Sequence, residues 1–203
     1  MIRSIEEYCR QLPAEFNLIP QERKILLEKI SAYINTKQKE NKTTRLVYVC
    51  THNSRRSHFG QVWAHVAAVY FHLHNVKTYS GGTEATAFHP NAINALKRIG
   101  FIVEQITEGK NPAYEVHYDE KQTPVICFSK VYDHADNPKK EFAAIMTCSD
   151  AEENCPFIPG VELRIGTMYD DPKAFDNTPQ QDAKYDERCR QIARETFYVF
   201  SRV

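Results

Sequence analysis

The chain has 203 residues, with 26 lysines and arginines against 26 aspartates and glutamates. That length suits one domain with additions and a well-buried core, and the balanced charge offers no global field for nucleic acid or an acidic membrane surface. Six cysteines (Cys9, Cys50, Cys127, Cys148, Cys155 and Cys189) are too dilute for a disulfide scaffold, and neither an apolar signal core nor a run of roughly 18 apolar residues is present, so the expectation is a cytoplasmic protein whose disulfide chemistry is transient.

In chain order, a short helix precedes a helix over 20–39, where Pro20 suits the first turn and Leu26, Leu27, Ile30, Tyr33 and Ile34 recur at helical spacing. Residues 35–44 read as a polar connector, which makes 1–44 a helical extension ahead of a main domain over 45–203. In that domain 45–49 and 77–79 are strand candidates around a helix over 56–74. A second helix over 90–99 stops at Gly100. Segments 101–103 and 142–147 are further strands, and a long C-terminal helix opens at Thr178 and Pro179 with Tyr185, Cys189, Ile192 and Phe197 on one side. This β-α-β-α-β order predicts an α/β fold, a parallel sheet with helices on both faces. The segment 105–140 interrupts it: Tyr114, Val116 and Tyr118 alternate, residues 124–129 have strand composition, and 119–123 can turn between them as an inserted β-hairpin.

The chemistry concentrates in "RLVYVCTHNSRRSHFGQVW", residues 45–63. Cys50 falls at the carboxyl end of a strand, where ligands bind in a parallel sheet. A helix starting near Arg56 aims free N–H groups and the positive end of its dipole at the turn, which suits a tetrahedral oxyanion. Thiols in such a field ionise readily and become nucleophiles. Arg56 supplies a planar fork for two anion oxygens, the Ser57 hydroxyl can donate to a thiolate, and Asn53 tolerates left-handed backbone. Cys50 is thus the candidate nucleophile, and Thr51, His52, Asn53, Ser54, Arg55, Arg56 and Ser57 form the candidate oxyanion cradle. A bare Cys-x5-Arg is a weak signal; the strand before it and the helix after it strengthen it.

The stretch "VCTHNSRRS" is similar to the phosphate-binding loop of the low-molecular-weight protein tyrosine phosphatase superfamily, and "YSGGTEATAFHPNAINALKRIGF" resembles the following segment in its thioredoxin-coupled arsenate reductases. The likeness spans about 45–104 and 142–200 and implies a three-layer α/β/α fold around a central parallel four-stranded sheet. Cys148 and Cys155 in "IMTCSDAEENCPFIPG" fit neither a zinc knuckle nor a Cys-x-x-Cys pair, and by composition are as readily two unrelated buried thiols. The resemblance implies instead a redox pair: Cys148 resolves the Cys50 adduct, Cys155 resolves Cys148, and thioredoxin is the reductant. It also implies that Asp171 in "MYDDPK" is the general acid, although Asp-Asp-Pro alone is an ordinary turn start; Asp170 is expected in solvent.

The chain departs from that pattern at several positions. His52 stands where glycine is usual, which implies either strained positive φ there or an imidazole beside the sulfur. Arg55 is expected to face solvent. Gln61 replaces a glutamate that helps bind potassium in some relatives, while Asn53 and Ser80 remain. Lys173 follows Asp-Pro in place of the aromatic run of phosphotyrosine-specific relatives. The leading expectation is an arsenate reductase with a three-cysteine relay to thioredoxin, with no cofactor or metal. The alternative is a protein tyrosine phosphatase or small-phosphoester phosphatase whose Cys148 and Cys155 protect Cys50 by reversible disulfide formation. A non-catalytic anion sensor is the third reading. Cys9, Cys127 and Cys189 are expected to be core or helix-face thiols.

Overall fold

The computed structural model describes residues 1–154 and 158–203. Two N-terminal helices, α1 (Arg3–Gln11) and α2 (Gln21–Lys39), flank a 3-10 segment, Leu12–Leu18. They precede β1 (Thr44–Cys50), α3 (Arg56–Tyr70), β2 (Val76–Gly82) and α4 (Pro90–Ile99). Three short strands follow, β3 (Ile102–Gln105), β4 (Tyr114–His117) and β5 (Val125–Cys127). The chain closes with β6 (Phe142–Met146), α5 (Ser149–Asn154), β7 (Val161–Gly166) and α6 (Gln181–Phe200).

The central sheet is parallel and four-stranded, in the order β2-β1-β6-β7. One of its strands differs from the sequence expectation. Segment 101–103 is one of the four predicted strands, yet β3 pairs antiparallel with β4, and β4 with β5, in a separate three-stranded sheet. The fourth central strand is β7. As an edge strand it interleaves Val161, Leu163 and Ile165 with Glu162 and Arg164, so it lacks the continuous apolar run of a buried parallel strand. In β3, Val103 is buried while Ile102 and Glu104 are exposed, the one-sided pattern of an antiparallel sheet.

The predicted hairpin over 105–140 is present as β4 and β5, joined by β3 into that second sheet. Helix α2 runs on through what reads as a connector, because the Lys37 stem is buried and its ammonium reaches Glu162 of β7 at 2.7 Å. Helix α3 stops at Tyr70, where His72 takes a left-handed φ of 58° and turns the chain.

The two faces of the central sheet are covered unequally. Leu46, Tyr48, Ala143, Ile145 and Ile165 join one large core with the buried sides of α1, α2, α3, α4 and α6. Trp63 is fully buried there, stacked on Tyr8 at 5.3 Å and edge-on to Phe101 at 5.4 Å; each large apolar side chain so buried contributes about 1.5–3 kcal/mol. The opposite face, Val47, Val49, Phe142, Ala144 and Met146, is covered thinly by Ala151 of α5 and by Ile158, and Cys50 and Cys148 belong to this smaller core.

Candidate active site

The loop after β1 is held open from outside by its own carbonyls. Cys50 O accepts from Thr83 N–H at 3.2 Å, Thr51 O from Glu84 N–H at 2.8 Å, and Ser54 O from His89 N–H at 2.9 Å. His52 O accepts from the Ser129 hydroxyl at 2.8 Å and the Thr86 hydroxyl at 3.2 Å. With the carbonyls tied outward, none of the N–H groups from His52 to Arg55 has a hydrogen-bond acceptor among the described residues. The first helical bond of α3 is Phe59 N–H to Arg55 O at 3.1 Å, so the amides of its first turn are free as well. Converging amides at a helix N-terminus make an anion cradle.

Asn53 takes the left-handed conformation, φ 44°, so the positive φ falls one residue after His52 and on a residue type that bears it. His52 carries no such strain; its half-exposed imidazole lies 3.7 Å from Glu84. The Asn53 amide orientation is fixed, because its Oδ1 accepts from Lys130 N–H at 2.8 Å. Its Nδ2 then donates to Ser57 Oγ at 2.8 Å, and Ser57 Oγ lies 3.0 Å from Cys50 Sγ. With one acceptor position taken by Asn53, the serine hydroxyl has its hydrogen available to a Cys50 thiolate.

Arg56 is buried beneath the loop. Its Nη1 donates to Tyr169 O at 2.7 Å and its Nη2 to Asp171 Oδ2 at 2.6 Å, whereas its Nε is buried with no partner among the described residues. A guanidinium N–H without a partner is able to take an anion oxygen. Asp171 also caps the 3-10 turn Pro172–Phe175 by accepting from Lys173 N–H at 3.0 Å, which fixes the carboxyl beside Arg56. Asp170 points to solvent and meets Arg188 at 3.2 Å.

Cys148 lies just beyond β6, at the neighbouring strand end, and its Sγ is 3.4 Å from the Thr51 hydroxyl. The register pairs Val49 with Met146, and Thr147 N–H donates to Val49 O at 2.7 Å, which brings Cys148 alongside the start of the loop. Cys155 lies outside the described residues.

Arg55 does not face solvent. It is buried, donating from Nε to the Tyr185 hydroxyl at 2.7 Å and from Nη2 to Asp176 at 3.1 Å, while Tyr185 and Asn91 donate to the other Asp176 oxygen. Burial opposes ionisation of Asp176, but the hydrogen bonds from Tyr185 and Asn91 and the charge of Arg55 outweigh it and hold this carboxyl below its usual range. Arg55 thus ties the loop to Tyr185 of α6 and to Asp176.

The positions associated with potassium are engaged within the protein. Gln61 Oε1 accepts from the Ser80 hydroxyl at 2.6 Å, Gln61 Nε2 donates to Ile126 O at 3.1 Å, and Asn53 Oδ1 is taken by Lys130. Elsewhere Glu104, Glu115 and His117 cluster on the outer sheet, with His117 Nε2 at 3.3 Å from Glu115 and 3.7 Å from Glu104.

Sequence reasoning missed Ser129 and Lys130, which buttress the loop through His52 O and Asn53 Oδ1. They lie within the insertion, just after β5, and nothing in their spacing from Cys50 marks them. They reach the loop because the chain after β5 runs along the outer edge of β2, where Gly82 N–H donates to Lys130 O at 2.9 Å and Tyr132 N–H to Gly82 O at 2.8 Å.

No family model matches the chain. In sequence it is similar to an arsenate reductase of Bacillus subtilis, 28% identical over 151 residues that cover 74% of this chain and 88% of that protein. An arsenate reductase of Bacillus licheniformis is 27% identical over 157 residues, 77% of this chain and 94% of that protein. In structure it is similar to a low-molecular-weight phosphotyrosine phosphatase of Vibrio cholerae, with a TM-score of 0.52 at 13% identity, covering 78% of this chain and 95% of that one. An arsenate reductase in its oxidised state gives a TM-score of 0.51 at 15% identity, covering 78% and 98%. The fold is that of the low-molecular-weight protein tyrosine phosphatases.

Proposed function

We propose that this chain, which has the low-molecular-weight phosphatase fold and is similar in sequence to arsenate reductases, reduces arsenate to arsenite with three cysteines and a thioredoxin-type dithiol. The observation that carries the reading is the second thiol: Cys148 stands against Thr51, next to the nucleophile, where a phosphatase has no use for it in turnover.

Arsenate sits in the loop amides with an oxygen on Arg56 Nε. The Cys50 thiolate attacks arsenic(V), forming an S–As bond, while Asp171 protonates the departing oxygen, which leaves as water. Cys148 as thiolate then attacks Cys50 Sγ. The S–S bond forms, the S–As pair stays on arsenic, and arsenic(V) becomes arsenic(III) at the cost of two thiol electrons. Cys155 attacks Cys148, freeing the Cys50 thiolate, and the dithiol partner reduces the Cys148–Cys155 disulfide. Ser57 supports Cys50 both as nucleophile and as leaving thiolate, since a hydrogen bond to sulfur stabilises the anion at each stage.

Arsenate-dependent NADPH oxidation, coupled through thioredoxin and thioredoxin reductase, tests this. Wild type is expected to turn over and Cys148→Ser to stop after one Cys50 adduct. No oxidation by wild type, together with equal hydrolysis of para-nitrophenyl phosphate by both proteins, would leave a redox-protected phosphatase instead.

A further inference from the structure

Between the outer edge of β2 and the inserted sheet lies a pocket of about 460 Å³, whose walls include Gln61, His65, Tyr79, Ile126, Phe128 and Lys130. None of the loop residues 50–57 lines it, so it is a separate space. Its size is that of pockets that enclose small organic molecules, about 300–1,000 Å³.

The unusual wall residue is Lys130. It is 5% exposed, and its ammonium has no carboxylate or other hydrogen-bond partner among the described residues. Its one close neighbour of note is the Phe128 ring, 4.3 Å from Nζ to the centroid. Asp136 also borders the pocket, but its carboxylate is exposed and meets His134 at 3.7 Å. Burial, only partly offset by Cys127 and Asp136, lowers the affinity of Lys130 for its proton. A buried cation without a counter-ion is costly, and folded chains ordinarily pair one. Here the space in front of it is walled mainly by rings and aliphatic carbon.

We infer that this pocket binds a small aromatic carboxylate, whose charge pairs with the Lys130 ammonium and whose ring packs between Tyr79, Ile126 and Phe128. The site is independent of the oxyanion chemistry proposed for Cys50, and its occupant differs from an arsenate or phosphate ion in needing an apolar body.

Titration calorimetry of the full chain with biphenyl-4-carboxylate, in phosphate buffer to keep the loop filled, tests the inference. One carboxylate should bind per chain, and Lys130→Met should weaken it at least about tenfold, the scale of a lost hydrogen bond to a charged group. The neutral biphenyl-4-carboxamide should bind wild type more weakly and be indifferent to that substitution. Ile126→Trp, at the exposed rim, fills the space and should abolish both; if Lys130→Met does not fold, this variant decides. Absence of carboxylate binding to wild type, or binding undiminished in both variants, overturns the proposal.

Discussion

Ser57 takes a hydrogen from the Asn53 amide and lies 3.0 Å from Cys50 Sγ, so one hydroxyl connects the loop's left-handed residue to the proposed nucleophile. Ser57→Ala removes the donor to sulfur and strands the buried Asn53 amide. With hydrogen bonds to charged groups at about 1.5–3 kcal/mol, kcat is expected to fall about ten- to a hundredfold with the far-ultraviolet circular dichroism unchanged. A variant within twofold of wild type would remove the serine from the chemistry. Such roles are partly legible from residue type: asparagine at a left-handed position and serine in the first turn of a helix are readable. Arg55 is not, because a charged residue in a polar loop reads as solvated until Tyr185 and Asp176 arrive from 120–130 positions away.

At the scale of elements, the N-terminal helices reach the site through α2. Arg23 pairs with Glu195 of α6 at 2.7 Å, donates to Thr167 O at 2.9 Å and lies over the Tyr169 ring, 4.9 Å to its centroid. The Tyr169 hydroxyl donates to the same Glu195, and its carbonyl holds Arg56. Arg23→Met leaves a carboxylate buried without its cation, and the expected loss is about 3–5 kcal/mol in urea unfolding. Glu195→Gln in the same chain should restore part of it, and failure to do so would show that the guanidinium acts through packing instead. The segment joining β2 to α4 works by close approach: a Cβ on Gly82 would come within 2.6 Å of Thr51 O and 2.7 Å of Asn53 N, so the second glycine of "SGG" lets the loop rest on β2. Gly100, at φ 116°, ends α4 as its position in the sequence suggests.

For the whole molecule, the large core carries several titratable groups that must stay neutral. Burial pushes Cys9, Cys127 and Cys189 each up to about 12. Burial, and next the charge of Lys130, pushes His58 down to about 3 from 6.5. The unfolded chain takes up a proton on His58 near pH 6.5 that the folded chain refuses until about pH 3. This contribution to stability is complete above 6.5 and is lost as pH falls across that window, by on the order of a few kcal/mol. His58→Gln should flatten the decline measured by urea midpoints between pH 7 and 4; an unchanged slope would assign acid sensitivity to other groups.

What the sequence by itself determined is local: the strand into Cys50, the helix behind Arg56, the Gly100 stop, the hairpin in the insertion and the residue types of an anion cradle. Each of these depends on neighbours within a few positions, where periodicity and backbone preference act. Only the tertiary structure decided which strand completes the central sheet, how the segment after β5 buttresses the loop, and that Arg55 is engaged by Tyr185 and Asp176 while Arg56 Nε has no partner among the described residues. Those outcomes rest on contacts between separate segments of the chain, 77 positions apart for Lys130 and Asn53 and 121–130 for Arg55 and its partners, set by burial and hydrogen-bond satisfaction that no local pattern records.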